Sequence, residues 1–250
     1  MSPWEEYKKS SFTRIQNIVT DNVNSSTLSQ QLVENKHITA LYLSQISYFS
    51  FDRIQKKTTE FGASRLSLYN NEGTQGYFAE FEDMAVVAFR GTNLDEWADL
   101  KACFTFWKKP YGAIKVHKGF ARCIDRLIPN ILADLRQVPE GKRIVFVGHS
   151  LGGALATLLS AKHKPDELVT FGAPRVAGKE LARYLSDIEY HRIVTKHDLV
   201  RWLPPNFPFL PYVHSGTRRV LRTEWHWNPK KFIHPHLLVT YLNALLDEDT

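Results

Sequence analysis

The sequence predicts an α/β fold, a mostly parallel central sheet with helices on both faces. Two observations carry that expectation. From residue 142 onward, short β-branched runs alternate with helical segments, the order that parallel strands joined by crossover helices impose. The chain also has 250 residues, 43% of them hydrophobic and 23% charged, enough to bury a sizeable core without staples. That balance excludes disordered, collagen-like and coiled-coil chains. No internal repeat, low-complexity tract or linker divides the sequence, so a single domain over 1–250 is expected.

The elements follow in order. Over 28–53 the apolar residues Leu32, Leu41, Ile46 and Phe49 keep rough helical spacing, which predicts one or two helices. Three extended segments come next, at 65–69, 76–81 and 84–89, with a hairpin turn at 70–73 between the first two. The segment 117–137 reads as a helix interrupted or kinked at Pro129. After it come a buried-type strand at 143–147 (RIVFV) and a helix at 151–162. A strand at 168–171, a helix at 178–186, a strand at 190–195 and a last helix at 236–246 complete the pattern.

Other function classes are narrowed by what the residues omit. Cys103 and Cys123 are the only cysteines, too few for a multi-Cys zinc site, and they read as free thiols. Glu5 and Glu6 stand where a signal peptide needs apolar residues, and no apolar run approaches a membrane span. The expected location is cytoplasmic, or secreted by a route the sequence does not show. The net charge of +6 includes clusters at Lys108-Lys109, Arg218-Arg219 with Arg222, and Lys230-Lys231, two of them near aromatics. No nucleic-acid motif accompanies them. A solvated basic surface is the plainer reading, with peripheral contact to a lipid interface the sharper one.

The strongest local signal is Gly148-His149-Ser150-Leu151-Gly152, which fits GxSxG. With 13 Gly and 15 Ser in the chain, roughly 0.04 such matches are expected by chance, so the motif carries weight. Its physics demands these residue types. A strand that reverses abruptly into a helix forces the serine into a strained conformation and leaves room only for glycine beside it. The turn exposes the Ser150 hydroxyl and aims the N–H groups of the new helix at a developing oxyanion. RIVFV before the motif and ALATLLSAKH after it supply the required strand and helix.

A serine hydroxyl needs a base, and the base an orienting acid. In this arrangement the chain order is Ser, then Asp or Glu, then His. Asp198 follows the strand HRIVT at its carboxyl end, where open parallel sheets place their sites. Asp166 and Asp187 are rivals, each between a helix and the next strand, at the opposite edge. The base is one of His214, His226, His234 and His236. His236, just after Pro235 at the start of the last helix, is favoured; His214 and His234 read as packing or hydrogen-bonding histidines, and His197 as a loop residue.

From about residue 85 to 242 the chain resembles the class 3 lipases, a fungal-type lipase family of α/β-hydrolases. The matching segments are VVAFRGT (86–92), VHKGF (116–120), VGHSLGGALA (147–156), FGAPRVAG (171–178), RIVTKHDLVRWLPP (192–205) and HLLVTYL (236–242). The resemblance implies Ser150 as nucleophile, Asp198 as acid and His236 as base. It adds Thr92 and the Leu151 N–H as the oxyanion hole, and sets aside His214 within YVHSG. HPH at 234–236 departs from the pattern and leaves His234 as the main rival base. The implied activity is hydrolysis of acylglycerol esters through an acyl-enzyme, with no metal or organic cofactor; phospholipase A1 and feruloyl esterase chemistry share the triad.

The resemblance also places a lid at about 93–109. There Leu94, Trp97, Leu100, Cys103, Phe104 and Trp107 recur at helical steps and form one apolar face. Two other classes compete: a metal-dependent hydrolase using His226, His234 and His236, and a non-catalytic lipid-binding protein that keeps the fold.

Overall fold

The structure is a computed structural model describing residues 36–91, 107–223 and 234–248. Its elements run α1 (Lys36–Ile46), α2 (Phe51–Glu60), β1 (Arg65–Asn71), β2 (Thr74–Glu80), β3 (Met84–Phe89), β4 (Lys108–Tyr111) and β5 (Ile114–His117). They continue with α3 (Lys118–Asp125), α4 (Ile128–Leu135), β6 (Arg143–His149), α5 (Leu151–Ser160), β7 (Glu167–Phe171) and α6 (Lys179–Tyr184). Strands β8 (Glu189–Thr195) and β9 (Thr217–Leu221) and helix α7 (Leu238–Glu248) complete the series. Seven strands make one sheet in the order β1-β2-β3-β6-β7-β8-β9. The first three pair antiparallel, and every pair from β3 to β9 is parallel. This is the α/β-hydrolase architecture.

Side-chain alternation explains the layers. In β3, Val86 and Ala88 turn to one face with Leu41 of α1 and Tyr241 of α7, while Val87 and Phe89 turn to the other with Phe120 of α3 and Leu155 of α5. In β6, Val145 and Val147 follow the first group and Phe146 the second. Both faces are therefore covered, which is why RIVFV reads as a continuous apolar run. A fully buried chain such as Leu155 contributes about 1.5–3 kcal/mol relative to exposure.

The differences from the sequence reading have local causes. Strand β1 extends through Asn71, and the hairpin turn is the pair Glu72-Gly73, both at positive φ (48° and 81°), which suits a two-residue hairpin. The helix expected at 117–137 is two helices, and the break precedes Pro129, which sits in the first turn of α4, where a missing N–H costs nothing. The β4–β5 hairpin and edge strand β9 were not anticipated. His236 lies in a single 3-10 turn, His234–His236, and the last helix starts two residues later than expected. Residues 93–106 of the expected lid, Thr92, Cys103 and His226 lie outside the described residues. The end of that lid is not helical, because Lys108 and Lys109 open β4. No helix among the described residues is long and apolar enough to cross a membrane.

Candidate active site

Strand β6 delivers Ser150 to the carboxyl edge of the sheet. Ser150 has φ 57° and ψ −128°, a region that non-glycine residues enter at a cost of about 1–3 kcal/mol. Its N–H donates to the Phe171 carbonyl at 2.9 Å, which fixes the turn against β7. The glycines let α5 leave at close quarters. A Cβ on Gly152 would lie 2.1 Å from the Phe89 carbonyl oxygen, and one on Gly148 would lie 2.4 Å from the Gly152 backbone. The abrupt reversal thus needs glycine on both sides of Ser150.

Three side chains from distant parts of the chain meet there. His236 Nε2 lies 2.8 Å from Ser150 Oγ, and His236 Nδ1 lies 2.7 Å from Asp198 Oδ2. All three residues are buried. Burial works against the Asp198 carboxylate, yet the neighbouring His236 ring and hydrogen bonds from His236, the Tyr241 hydroxyl and the Val200 N–H outweigh it. They hold its pKa below the ordinary carboxylate value. An ionised carboxylate only accepts, so Nδ1 carries the ring proton and the Nε2 lone pair faces the Ser150 hydroxyl. The arrangement can take a proton from Ser150 and stabilise the resulting imidazolium.

Residues that the sequence did not nominate lock this geometry. Tyr241 in α7 donates to Asp198 Oδ2 at 2.6 Å, and the Val200 N–H to Oδ1 at 2.8 Å. The Thr195 hydroxyl donates to the Pro235 carbonyl at 2.7 Å, holding the turn that carries His236. His149 lies under His236, ring centroids 4.6 Å apart, and its Nε2 donates to the His236 carbonyl at 2.7 Å. That bond leaves Nδ1 to accept from the Tyr48 hydroxyl at 2.8 Å, and the same hydroxyl packs so closely on Gly91 that a Cβ there would lie 2.2 Å from it. Tyr48 therefore lies between Gly91 and His149, and through His149 is tied to the backbone of His236. His149 stands beside the serine in the motif, but nothing in the sequence links residue 48 to 149 or 241 to 198. Gly172 completes the floor at φ 57°; a Cβ there would meet Asp198 Oδ2 at 2.5 Å and His236 Cε1 at 2.9 Å.

The rival residues are occupied elsewhere. Asp166 accepts the Ile144 N–H at 2.7 Å and Asp187 pairs with Lys164 at 2.7 Å, both at the amino edge of the parallel strands. His214 Nε2 donates to the Arg201 carbonyl at 2.6 Å. Both ring nitrogens of His236 are engaged by Asp198 and Ser150, which leaves neither for a metal in this arrangement. Leu151 opens α5, so its N–H is one of those that a helix leaves without an internal partner.

Four histidines are held neutral by the fold, among them His37, which burial and Arg219 lower to about 4. Burial lowers His117 to about 4 and, together with His236, lowers His149 to about 3. Burial and Arg192 lower His214 to about 3. Each refuses in the folded state a proton that the unfolded chain takes near pH 6.5. Their contribution to stability is therefore intact above about 6.5 and declines as pH falls towards 4, by up to about 1.4 kcal/mol per pH unit for each group. Calorimetry across this range should show Tm falling well above the carboxylate region. A Tm unchanged down to about pH 4.5 would contradict the neutral assignment.

The sequence and the fold are similar to those of known proteins. The class 3 lipase family model matches residues 86–207. A lipase of Rhizopus niveus is 34% identical over 173 residues, covering 59% of this chain and 43% of that protein. The secreted mono- and diacylglycerol lipase 1 of Fusarium solani is 32% identical over 134 residues, covering 48% and 39%. The solved Rhizomucor miehei triacylglyceride lipase superposes with a TM-score of 0.59 at 27% identity, over 77% of this chain and 81% of that one. This chain spans less than half the length of each of these two curated relatives.

Proposed function

We propose that the chain is a class 3 lipase and, on that premise, a serine carboxylic-ester hydrolase acting on acylglycerol esters. The observation that carries the proposal is the linear array from Ser150 through His236 to Asp198, with contacts of 2.8 and 2.7 Å. In this reading Ser150 Oγ attacks the ester carbonyl while His236 Nε2 takes its proton. Asp198 keeps the ring in the tautomer that can accept it and steadies the imidazolium. The Leu151 N–H, joined by Thr92, faces the tetrahedral oxyanion. Collapse expels the alcohol, which receives the proton from His236 and leaves an acyl-Ser150 ester. Water, deprotonated by the same imidazole, then releases the acid. No step needs a metal.

The relatives' names, lipase and mono- and diacylglycerol lipase, support glycerol esters as the substrate class. The test is a chain-length series of glycerol and p-nitrophenyl esters, run with and without chelator. Turnover that survives the chelator, with covalent labelling of Ser150 by a serine-directed phosphonate, is expected. Absence of turnover on every ester would overturn the proposal, as would activity abolished by chelator.

A further inference from the structure

The carboxyl edge of the sheet carries a second surface that the ester chemistry does not use. Between Lys196 and Arg222 the chain holds five cations; Lys196, Arg201 and Arg222 lie around the carboxyl ends of β8 and β9, while Arg218 and Arg219 sit near the amino end of β9, where Arg219 bonds His37. The single carboxylate in that stretch, Asp198, is buried against His236. No exposed acid within it balances the positive charge. The Lys196 N–H bonds the Leu221 carbonyl, so Lys196 and Arg222 leave the sheet together at the edge from which Ser150 also emerges.

Large apolar side chains stand in water on the same stretch: Leu199 is 56% exposed, Trp202 50% and Phe209 84%. Phe207 stacks on Phe209 with centroids 5.5 Å apart and planes 7° from parallel. Trp202 lies near two guanidiniums, Arg201 at 4.9 Å and Arg175 at 5.5 Å from its ring. The loop is well fastened. Arg175 donates to the Trp202, Leu203 and Pro204 carbonyls, the Tyr212 N–H donates to Asn206, and the Lys108 ammonium donates to the Pro211 carbonyl. A loop held at this many points does not leave its aromatics exposed for want of anchoring.

We infer that the 199–209 loop seats the protein on an anionic phospholipid surface, its apolar side chains entering the acyl layer and the flanking cations pairing with headgroup phosphates. The inference deepens the ester-hydrolase reading, since the same edge carries Ser150 and would face the lipid. Charge selects the occupant. A chain at +6 repels a second copy of itself and is drawn to anionic surfaces. A polyanion such as nucleic acid would engage the cations, yet it offers Leu199 no apolar layer. An anionic bilayer satisfies both features, because binding there sums apolar burial and attraction to acidic headgroups.

The test uses the full chain with Ser150→Ala, so that no lipid is consumed. Flotation with phosphatidylcholine vesicles, with and without phosphatidylglycerol, reads binding. Turnover of a soluble p-nitrophenyl ester by the otherwise wild-type chain reads chemistry separately. Binding that requires phosphatidylglycerol and weakens with salt is expected. Phe209→Ser should lower the partition coefficient on the order of tenfold. Lys196→Glu with Arg222→Glu should lower it by at least about fivefold per cation, and neither change should alter soluble-ester turnover. Binding that is absent, indifferent to phosphatidylglycerol, unchanged by both sets of substitutions, or abolished by competing single-stranded DNA without loss on Phe209→Ser overturns the inference. Loss of soluble-ester turnover in the wild-type chain would instead overturn the hydrolase reading, whatever the vesicles show.

Discussion

Ser150→Ala is expected to lower turnover of a soluble ester by roughly 10³–10⁶-fold, because a nucleophile that acts as one unit with its base leaves only residual catalysis when removed. The fold should survive. Among the described residues the Ser150 hydroxyl hydrogen-bonds His236 Nε2, while the backbone N–H that anchors the turn on the Phe171 carbonyl is unaffected by the change. The substitution also separates chemistry from strain. Alanine keeps the penalty of a positive φ at this position, whereas Ser150→Gly removes it and should raise stability by about 1–3 kcal/mol. Two inactive proteins, one no less stable than wild type and one more stable, are therefore expected from kinetics and calorimetry together. Ser150→Ala activity within about tenfold of wild type would dismiss Ser150 as nucleophile and the proposed chemistry with it.

The legible parts of this protein are those encoded locally. RIVFV followed by GHSLG states a strand, a strained turn and a helix within one short window, and the structure has them there. The parallel strands β6, β7 and β8 are legible for the same reason, since they are largely buried and alternate with helices. Asp198 could be separated from Asp166 and Asp187 because it alone follows a strand at its carboxyl end. Two edge elements, β9 and β4, were not legible. TRRVL, strand β9, exposes Thr217, Arg218 and Val220 and buries only Leu221, so it lacks the apolar alternation that marks a half-buried strand. KKPY, strand β4, contains a proline, which an edge strand tolerates but a sequence reading takes as a break. The supporting shell was invisible for another reason. Tyr48 and Tyr241 look like core aromatics in helical surroundings, and only the folded chain brings their hydroxyls to His149 and Asp198.

His236→Ala should bring turnover close to the Ser150→Ala level, since the two residues share one proton transfer and their losses do not add. The Ser150→Ala/His236→Ala double variant should be no slower than either single one. His236→Ala also leaves Asp198 buried without its ring partner, although the Tyr241 hydroxyl and Val200 N–H still donate to it. Removing the ring N–H from a buried carboxylate costs about 1.5–3 kcal/mol, and the remaining donors place this case near the lower end. Lost activity must therefore be distinguished from lost structure. Added free imidazole provides that distinction: a small base can occupy the vacated space and restore part of the turnover if His236 supplies only a proton acceptor. A purely structural defect would not respond. His214→Ala is the matched control, because His214 is also shielded and hydrogen-bonded but spends its Nε2 on the Arg201 carbonyl. It should lower Tm while keeping turnover within a few-fold, and His234→Ala should keep most activity as well. If His236→Ala retained a tenth or more of wild-type turnover while His234→Ala lost it, the base would have to be reassigned to His234.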